Sequence, residues 1–380
     1  MIHKVGIEYT NDLHTIALAF RLFRQQRLPI SADVFNRFFD KEGELRTSLT
    51  IDVQGLLSFY EATYLGTPNE EILEKAATFA KWHLGLMCTH LEPNMRTIVS
   101  RALITPRFKR MERLEAREFI SFYDKQENKR EDLLQFAKLD FVFVQSIHLE
   151  ELRILSIWNK NIGLAKDLPF VRDRLVELHF WMVGVFFEPC YSYARKTSTK
   201  VLVLTSILDD IYDQYGTLKD LQLLTGIINR WKVDERVDQL PIYLQKFIIV
   251  FYKTFEEFKD ELAINQSTYR VQYLKKEHEQ TANHLATIVH NYMKEYNCTE
   301  EETCQKLIEM VENEWKTLNQ ELLLLTNLPL TLVRPIINLT RVMEIFYKEK
   351  DTFTNPFDTM KHNISLVMIE PLFPKGSIPK

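Results

Sequence analysis

The sequence predicts an all-α protein, and three observations carry that prediction. Glycine is scarce: the chain has 10 in 380 residues, against about 27 at the usual frequency near 7%. Proline, at 13, is also below its usual share of roughly 5%, so the tight turns that a large sheet protein needs are missing. Apolar residues recur at helical spacing along the whole chain. No G-x-G-x-x-G and no G-x-x-x-x-G-K-[ST] occurs, which excludes the usual dinucleotide and P-loop cradles. A length of 380 residues suggests two domains.

The elements follow in order. Asp12 to Arg27 is helical, with Leu13, Ile16, Ala17, Phe20, Leu22 and Phe23 as its apolar set. Asp33 to Phe39 and Leu49 to Leu65 continue the pattern. Thr67-Pro68-Asn69-Glu70-Glu71 is a helix start, with a polar cap and acids in the first turn. Arg107, Lys109, Arg110, Arg113 and Arg117 form a basic cluster, read as a solvated helix face with its aliphatic stems packed down. The charged run Asp124 to Asp132 is a connector or a helix N-terminus and marks the domain boundary, giving domains 1–130 and 131–380. Pro169 and Pro189 bracket the next helix, with Arg172 and Arg174 in its first turn and Trp181 further on. A helix from Tyr191 to Tyr215 follows, and Gly216 stops it. No repeat of 20 to 50 residues is present, so a solenoid is disfavoured.

Bulk charge narrows the function. The net charge is −4, from 48 basic and 52 acidic residues, which leaves no basic footprint for nucleic acid. No apolar run reaches the eighteen or so residues of a membrane span. The start, MIHKVGIEYT, is neither a signal nor a transit peptide. Cys88, Cys190, Cys298 and Cys304 lack C-x-x-C spacing and read as buried thiols of a reducing compartment. These features describe a cytoplasmic, monomeric helical protein.

Leu208-Asp209-Asp210-Ile211-Tyr212-Asp213 carries the chemistry. Asp209 and Asp213 are four apart and share a helix face. The run Val201 to Leu208 is apolar nearly all round, as in a buried helix. Carboxylates on such a helix, near the C-terminal end of its dipole, need a compensating cation. Mg²⁺, which keeps several waters and bridges to substrate phosphates, suits two carboxylates best, with Mn²⁺ as a substitute. Arg172 and Arg174 supply the opposite charge, and a diphosphate would satisfy them by bidentate hydrogen bonds.

These residues resemble the plant terpene synthase family. Arg172-Asp173-Arg174 is similar to its Arg-x-Arg motif. Asp209-Asp210-Ile211-Tyr212-Asp213, with Tyr215-Gly216-Thr217 behind it, resembles its aspartate-rich motif. Phe180-Trp181, Phe187-Glu188-Pro189 and Tyr191-Ser192-x-Ala194-Arg195 resemble sesquiterpene-type members. Leu114 to Arg117 and Phe136 to Phe141 are similar to the end of the family's N-terminal domain and the start of its catalytic domain. The resemblance implies an N-terminal α-barrel remnant and a C-terminal isoprenoid-synthase-type helical bundle. It also implies Mg²⁺ on Asp209 and Asp213, with farnesyl diphosphate as the prenyl diphosphate substrate. Arg172 and Arg174 then steer the released diphosphate, and Trp181 offers a π face to the carbocation.

The chain also departs from that pattern. The family's second metal motif, (Asn/Asp)-Asp-x-x-(Ser/Thr)-x-x-x-Glu, is not intact. If Glu279 is its glutamate, Lys275 and Val271 stand at the partner positions, and neither binds Mg²⁺. Two separated regions look fused near 274–278, so the bundle is incomplete. Phe346 and Phe353 flank Asp351 where tyrosines are common. The N-terminus is short and lacks the tandem-arginine leader of monoterpene members. Two readings result: a Mg²⁺-dependent sesquiterpene synthase, or a catalytically impaired helical relative. A chain-elongating prenyl transferase needs a second aspartate-rich motif and explains neither arginine.

Overall fold

In the computed structural model, the structure describes residues 10–231, 234–264, 288–348, 351–356 and 358–373. Among these the only extended pairing is one isolated bridge, Phe39 to Leu45, and the rest is helix and connecting turn. No described helix is long and apolar enough to cross a membrane. The chain packs as two compact units, one of residues 1–115 with 285–345 and one of 116–284 with 346–380.

The first unit opens with α1 (Leu13–Gln25), capped by the Asp12 side chain on the Thr15 amide at 2.8 Å. Short 3₁₀ turns follow at Ala32–Phe38 and Thr47–Ile51. The apolar run to Leu65 is therefore two pieces, because Asp52 caps a fresh helix, α2 (Val53–Thr63), through the Gly55 amide. Then come α3 (Glu71–Met87), with Glu71 and Glu74 in its first turn, and α4 (Pro93–Ile104), with proline at its start. Leu13, Ile16, Phe20, Phe35 and Phe59 make the core between α1 and α2.

The later segment of this unit holds α11 (Ile288–Tyr296), α12 (Glu300–Leu324) and the first part of α13 (Leu330–Tyr347). Thr299 and Glu302 start α12 with a reciprocal capping box. Trp315, Leu322, Val333 and Ile337 join Leu65 and Phe108 in one apolar cluster. Here the basic cluster departs from the expected solvated face. Lys109, Arg113 and Arg117 are buried. Lys109 Nζ lies 2.6 Å from Glu312 and 5.2 Å from the Trp315 ring centroid. Arg341 donates to Glu112 at 2.5 Å and to the Phe108 carbonyl at 2.7 Å. Lys109 and Glu312 are 203 residues apart in sequence and Arg341 and Glu112 are 229 apart, so local patterning could not reveal these pairs, whereas Arg107 and Arg110 pair with the nearby Glu115.

The second unit starts with α5 (Glu112–Tyr123), most of which belongs here, and the long α6 (Glu131–Ile162). The charged run before α6 is its N-terminus, with Glu131 and Asp132 in the first turn and Gly163, at φ 72°, ending it. After the single turn Leu164–Asp167 come α7 (Leu175–Val185), α8 (Ser192–Asp210), α9 (Leu218–Ile228) and α10 (Ile242–Ile264). The unit closes with Phe346 onward and α14 (Asp358–Ile364). Its core joins Leu155, Leu178, Val203, Ile207, Leu224, Phe247 and Phe251. The cysteines are not the buried set expected. Cys190 and Cys304 are exposed, Cys88 and Cys298 half-buried, and all four are free.

Candidate active site

The acidic motif sits where α8 changes its winding. The α-helix runs to Asp210, and Ile211–Tyr215 forms one π-helical turn before Gly216. Such turns concentrate at functional sites because the wider winding re-aims side chains. Val203, Leu204, Ile207 and Ile211 anchor the inner face. Asp209 and Asp213 face solvent, while Asp210 is buried. The carboxylates thus lie at the rim of the helix end and not in the interior that the apolar run suggested. Neither Asp209 nor Asp213 has a hydrogen bond or salt bridge among the described residues. Partial burial pushes the Asp209 carboxyl up, and the charges of Asp213 and Asp210 add to that, against a downward pull from Arg172 and Arg174.

The arginines are not in a first helical turn. Helix α7 begins at Leu175, with Arg174 as its N-cap residue and Arg172 in the non-helical segment before it. Pro169 opens the turn 168–171, closed by the Val171 amide on the Leu168 carbonyl at 3.0 Å, and not the helix, because Asp173 accepts from the Leu175 amide at 3.2 Å and sets a later start. Arg172 Nη2 is 3.4 Å from Asp210 Oδ1, and its Nη1 donates to the Thr354 carbonyl at 3.2 Å. Arg174 Nη2 donates to the same carbonyl at 3.0 Å, and its guanidinium lies 4.5 Å from the Phe353 centroid. Burial and the neighbouring Arg172 charge lower the Arg174 pKa, although Asp210, Glu177 and Asp351 oppose them. Burial raises the Asp351 carboxyl, but hydrogen bonds from Thr354 and Phe353 outweigh it and leave the net shift downward. Those bonds fold the 351–354 turn that presents the shared carbonyl.

Trp181 is half-buried on α7. Its ring lies 4.8 Å from that of Phe346, and Phe353 meets it edge-on at 5.9 Å and 88°. Tyr347 is 6.1 Å away. Phe346 and Phe353 therefore form an aromatic wall with no hydroxyl of their own. Beside the arginines a small cleft of about 50 Å³ opens between Leu164, Val171, Leu178, Val203 and Ile207, with Asn159 and Ser206 as polar points.

The structure thus brings Arg172, Arg174, Asp209 and Asp213 within one electrostatic neighbourhood, with Trp181 on the same helix as Arg174. Glu279, Lys275, Val271 and the 274–278 junction lie outside the described residues. Asp210, Thr354 and the Asp351 turn join the site beyond the residues that the sequence points to. The signal for Asp210 is its position one residue past Asp209, which turns it to a different helix face. The oxygen-only pair Asp209 and Asp213, mutually repelling and without a protein cation bonded to it, suits a hard divalent ion. Among the described residues no group of three His, Cys, Asp or Glu side chains could hold a metal alone, so waters and substrate oxygens would complete the shell.

Comparison with known proteins bears on the family and the fold. Residues 1–103 match the model of the terpene synthase N-terminal domain, and residues 160–282 that of the terpene synthase family metal-binding domain. Residues 271–317 match a second C-terminal metal-binding model of terpene synthase family 2. A sesquiterpene synthase of Cananga odorata is 35% identical over 443 residues, covering 95% of this chain and 79% of that protein. The α-humulene synthase of Zingiber zerumbet is 35% identical, covering 97% and 82%. As 95% of 380 residues is about 361, the 443-residue match leaves about 80 positions with no counterpart in this chain. The crystal structure of isoprene synthase from grey poplar (Populus x canescens), with three Mg²⁺ ions and dimethylallyl-S-thiolodiphosphate, superposes with a TM-score of 0.87 at 28% identity, covering 98% of this chain and 87% of that one. The chain belongs to the terpene synthase family.

Proposed function

We propose that this chain is a Mg²⁺-dependent terpene synthase of the sesquiterpene type, a carbon–oxygen lyase that ionises farnesyl diphosphate. The observation that carries the reading is the meeting of two opposite charges. Asp209 and Asp213 have no bonded cation, and Arg172 and Arg174 sit close enough to act on Asp209. A prenyl diphosphate is the ligand that answers both. Mg²⁺ held by Asp209 and Asp213 supplies Lewis-acid stabilisation of charge on the diphosphate oxygens. Arg172 and Arg174 take the diphosphate by charge-assisted hydrogen bonds and keep it from the cation after the C–O bond breaks. Trp181 offers π density to the carbocation, and Phe346 and Phe353 keep water away from it. The sesquiterpene synthases among the relatives favour a C15 substrate. The free cysteines suit a reducing cytoplasm.

One observation favours a second reading, a prenyl diphosphate binder with impaired turnover. About 80 positions of the Cananga odorata protein have no counterpart here, and the sequence meets the second metal motif only at Glu279. Purified protein incubated with farnesyl diphosphate and Mg²⁺, with volatiles read by gas chromatography and mass spectrometry, separates the two. Terpene products that vanish in Asp209→Asn support the synthase. Binding without product supports the second reading, and neither binding nor product contradicts both.

A further inference from the structure

The end of α7 is held by an unusual set of buried polar groups. The helix stops after Val185 with no glycine, and its C-cap residue is Phe186. Beyond that end the carbonyls of Phe186 and Phe187 need donors from elsewhere, and that of Glu188 accepts from the Tyr191 amide at 3.1 Å with room for a second donor. Each finds one on another helix. Arg195 Nη1 of α8 donates to Phe186 and, at 2.6 Å, to Glu188. His148 Nε2 of α6 donates to Phe187 at 3.0 Å, and His179 Nε2 of α7 donates to the His148 carbonyl at 3.0 Å. Arg195 spends its other nitrogens on Glu151 of α6, Nε to Oε2 at 2.8 Å and Nη2 to Oε1 at 2.7 Å.

Arg195, His148 and His179 are 0% exposed and Glu151 is 3% exposed. A guanidinium that far from water is costly unless its fork is satisfied. Here the fork meets a carboxylate and two carbonyls, a pattern that planar arginine fits and lysine cannot reproduce. Arg195 stands in the first turn of α8, and Asp209 follows fourteen residues later on that helix, about 21 Å along it at 1.5 Å per residue. Trp181 stands five residues before Phe186 and seven before Glu188, whose carbonyls Arg195 binds.

We propose that Arg195, braced by Glu151, is a positioning residue that locks the end of α7 to the start of α8 and so sets Trp181 against Asp209 and Asp213. The purpose of that setting rests on the proposed diphosphate site, whereas the lock itself is judged independently of it. The test compares full-length parent and Arg195→Lys, which keeps the charge and loses the fork, far below their unfolding temperatures. Three quantities are read: helicity, the Trp181 emission obtained by difference from Trp181→Phe, and calorimetric binding of inorganic diphosphate in Mg²⁺. The expected result is intact helicity, a red-shifted Trp181 emission, and a diphosphate Kd raised roughly tenfold. A brace that only stabilises the fold would lower the unfolding temperature and leave the emission in place, so unchanged emission with Kd within about twofold overturns the proposal. If the parent binds no diphosphate, the proposed site fails and the emission alone decides the lock. If Arg195→Lys does not fold, Glu151→Gln takes its place under the same readings, a shift supporting the lock and an unchanged emission overturning it.

Discussion

Arg172 reaches Asp210 across 38 residues of sequence, Nη2 to Oδ1 at 3.4 Å, while Asp209, one residue earlier, has no bonded cation. The middle aspartate is spent on the arginine, and the outer two stay open. This division assigns different consequences to three adjacent acids.

Asp209 is held above the usual carboxylate range by burial first and by Asp213 and Asp210 next. A raised carboxyl favours the fold while it is protonated and loses that contribution as pH rises through the folded value. The metal-free Asp209→Asn variant should therefore melt about a degree or two higher than the parent at neutral pH. Mg²⁺ with inorganic diphosphate should raise the parent's melting temperature and leave the variant's unchanged. A thermal melt with and without the two ligands checks both signs.

His179 behaves in the opposite sense. Burial lowers its pKa to about 4, against weaker raising effects from the His148 carbonyl and Glu151. A depressed histidine supports the fold above its unfolded value of about 6.5, and that support is lost as pH falls toward 4. The loss is on the order of 3 kcal/mol. Urea midpoints between pH 7 and 4 should fall more steeply in the parent than in His179→Gln, and parallel profiles would contradict this.

Arg341 is 7% exposed and binds Glu112, Asn338 and the Phe108 carbonyl. Burial lowers its pKa, opposed by Glu112. Arg341→Ala leaves a buried carbonyl without that donor, so a loss of about 3 kcal/mol is expected. Amide hydrogen exchange should localise the loss to residues 100–115 and 330–345, within the first unit, with the Asp209 helix unaffected.

Trp181 contributes a ring and no hydrogen bond to diphosphate in this account. Trp181→Leu should leave Mg²⁺-dependent binding of inorganic diphosphate within about twofold and lower product formation by tenfold or more, a step of about 1.4 kcal/mol at least. Calorimetry and product analysis on the same preparation separate the two effects.

Much of the fold could be read from local chemistry. Low glycine, the Asp12 cap, the acids at Glu131 and Asp132 and the stop at Gly216 all operate within a few residues, and the helices follow them. The aspartate motif was legible for the same reason, since Asp209 and Asp213 are four apart. What escaped was long-range. Nothing near Lys109 in sequence shows Glu312, and nothing near Arg172 shows the Thr354 carbonyl. Pro169 is a good helix opener and predicts a helix over Arg172 and Arg174, yet the Asp173 side chain on the Leu175 amide moves the start past them. The π-helical turn at Ile211–Tyr215 has no signature in composition.

Release of diphosphate from farnesyl diphosphate tests the central claim most directly, because it reads ionisation whatever terpene results. In Mg²⁺ the parent is expected to release diphosphate with turnover, Asp209→Asn to fall to background, and Arg172→Ala to fall at least tenfold. Release by the parent no faster than by Asp209→Asn would contradict the account.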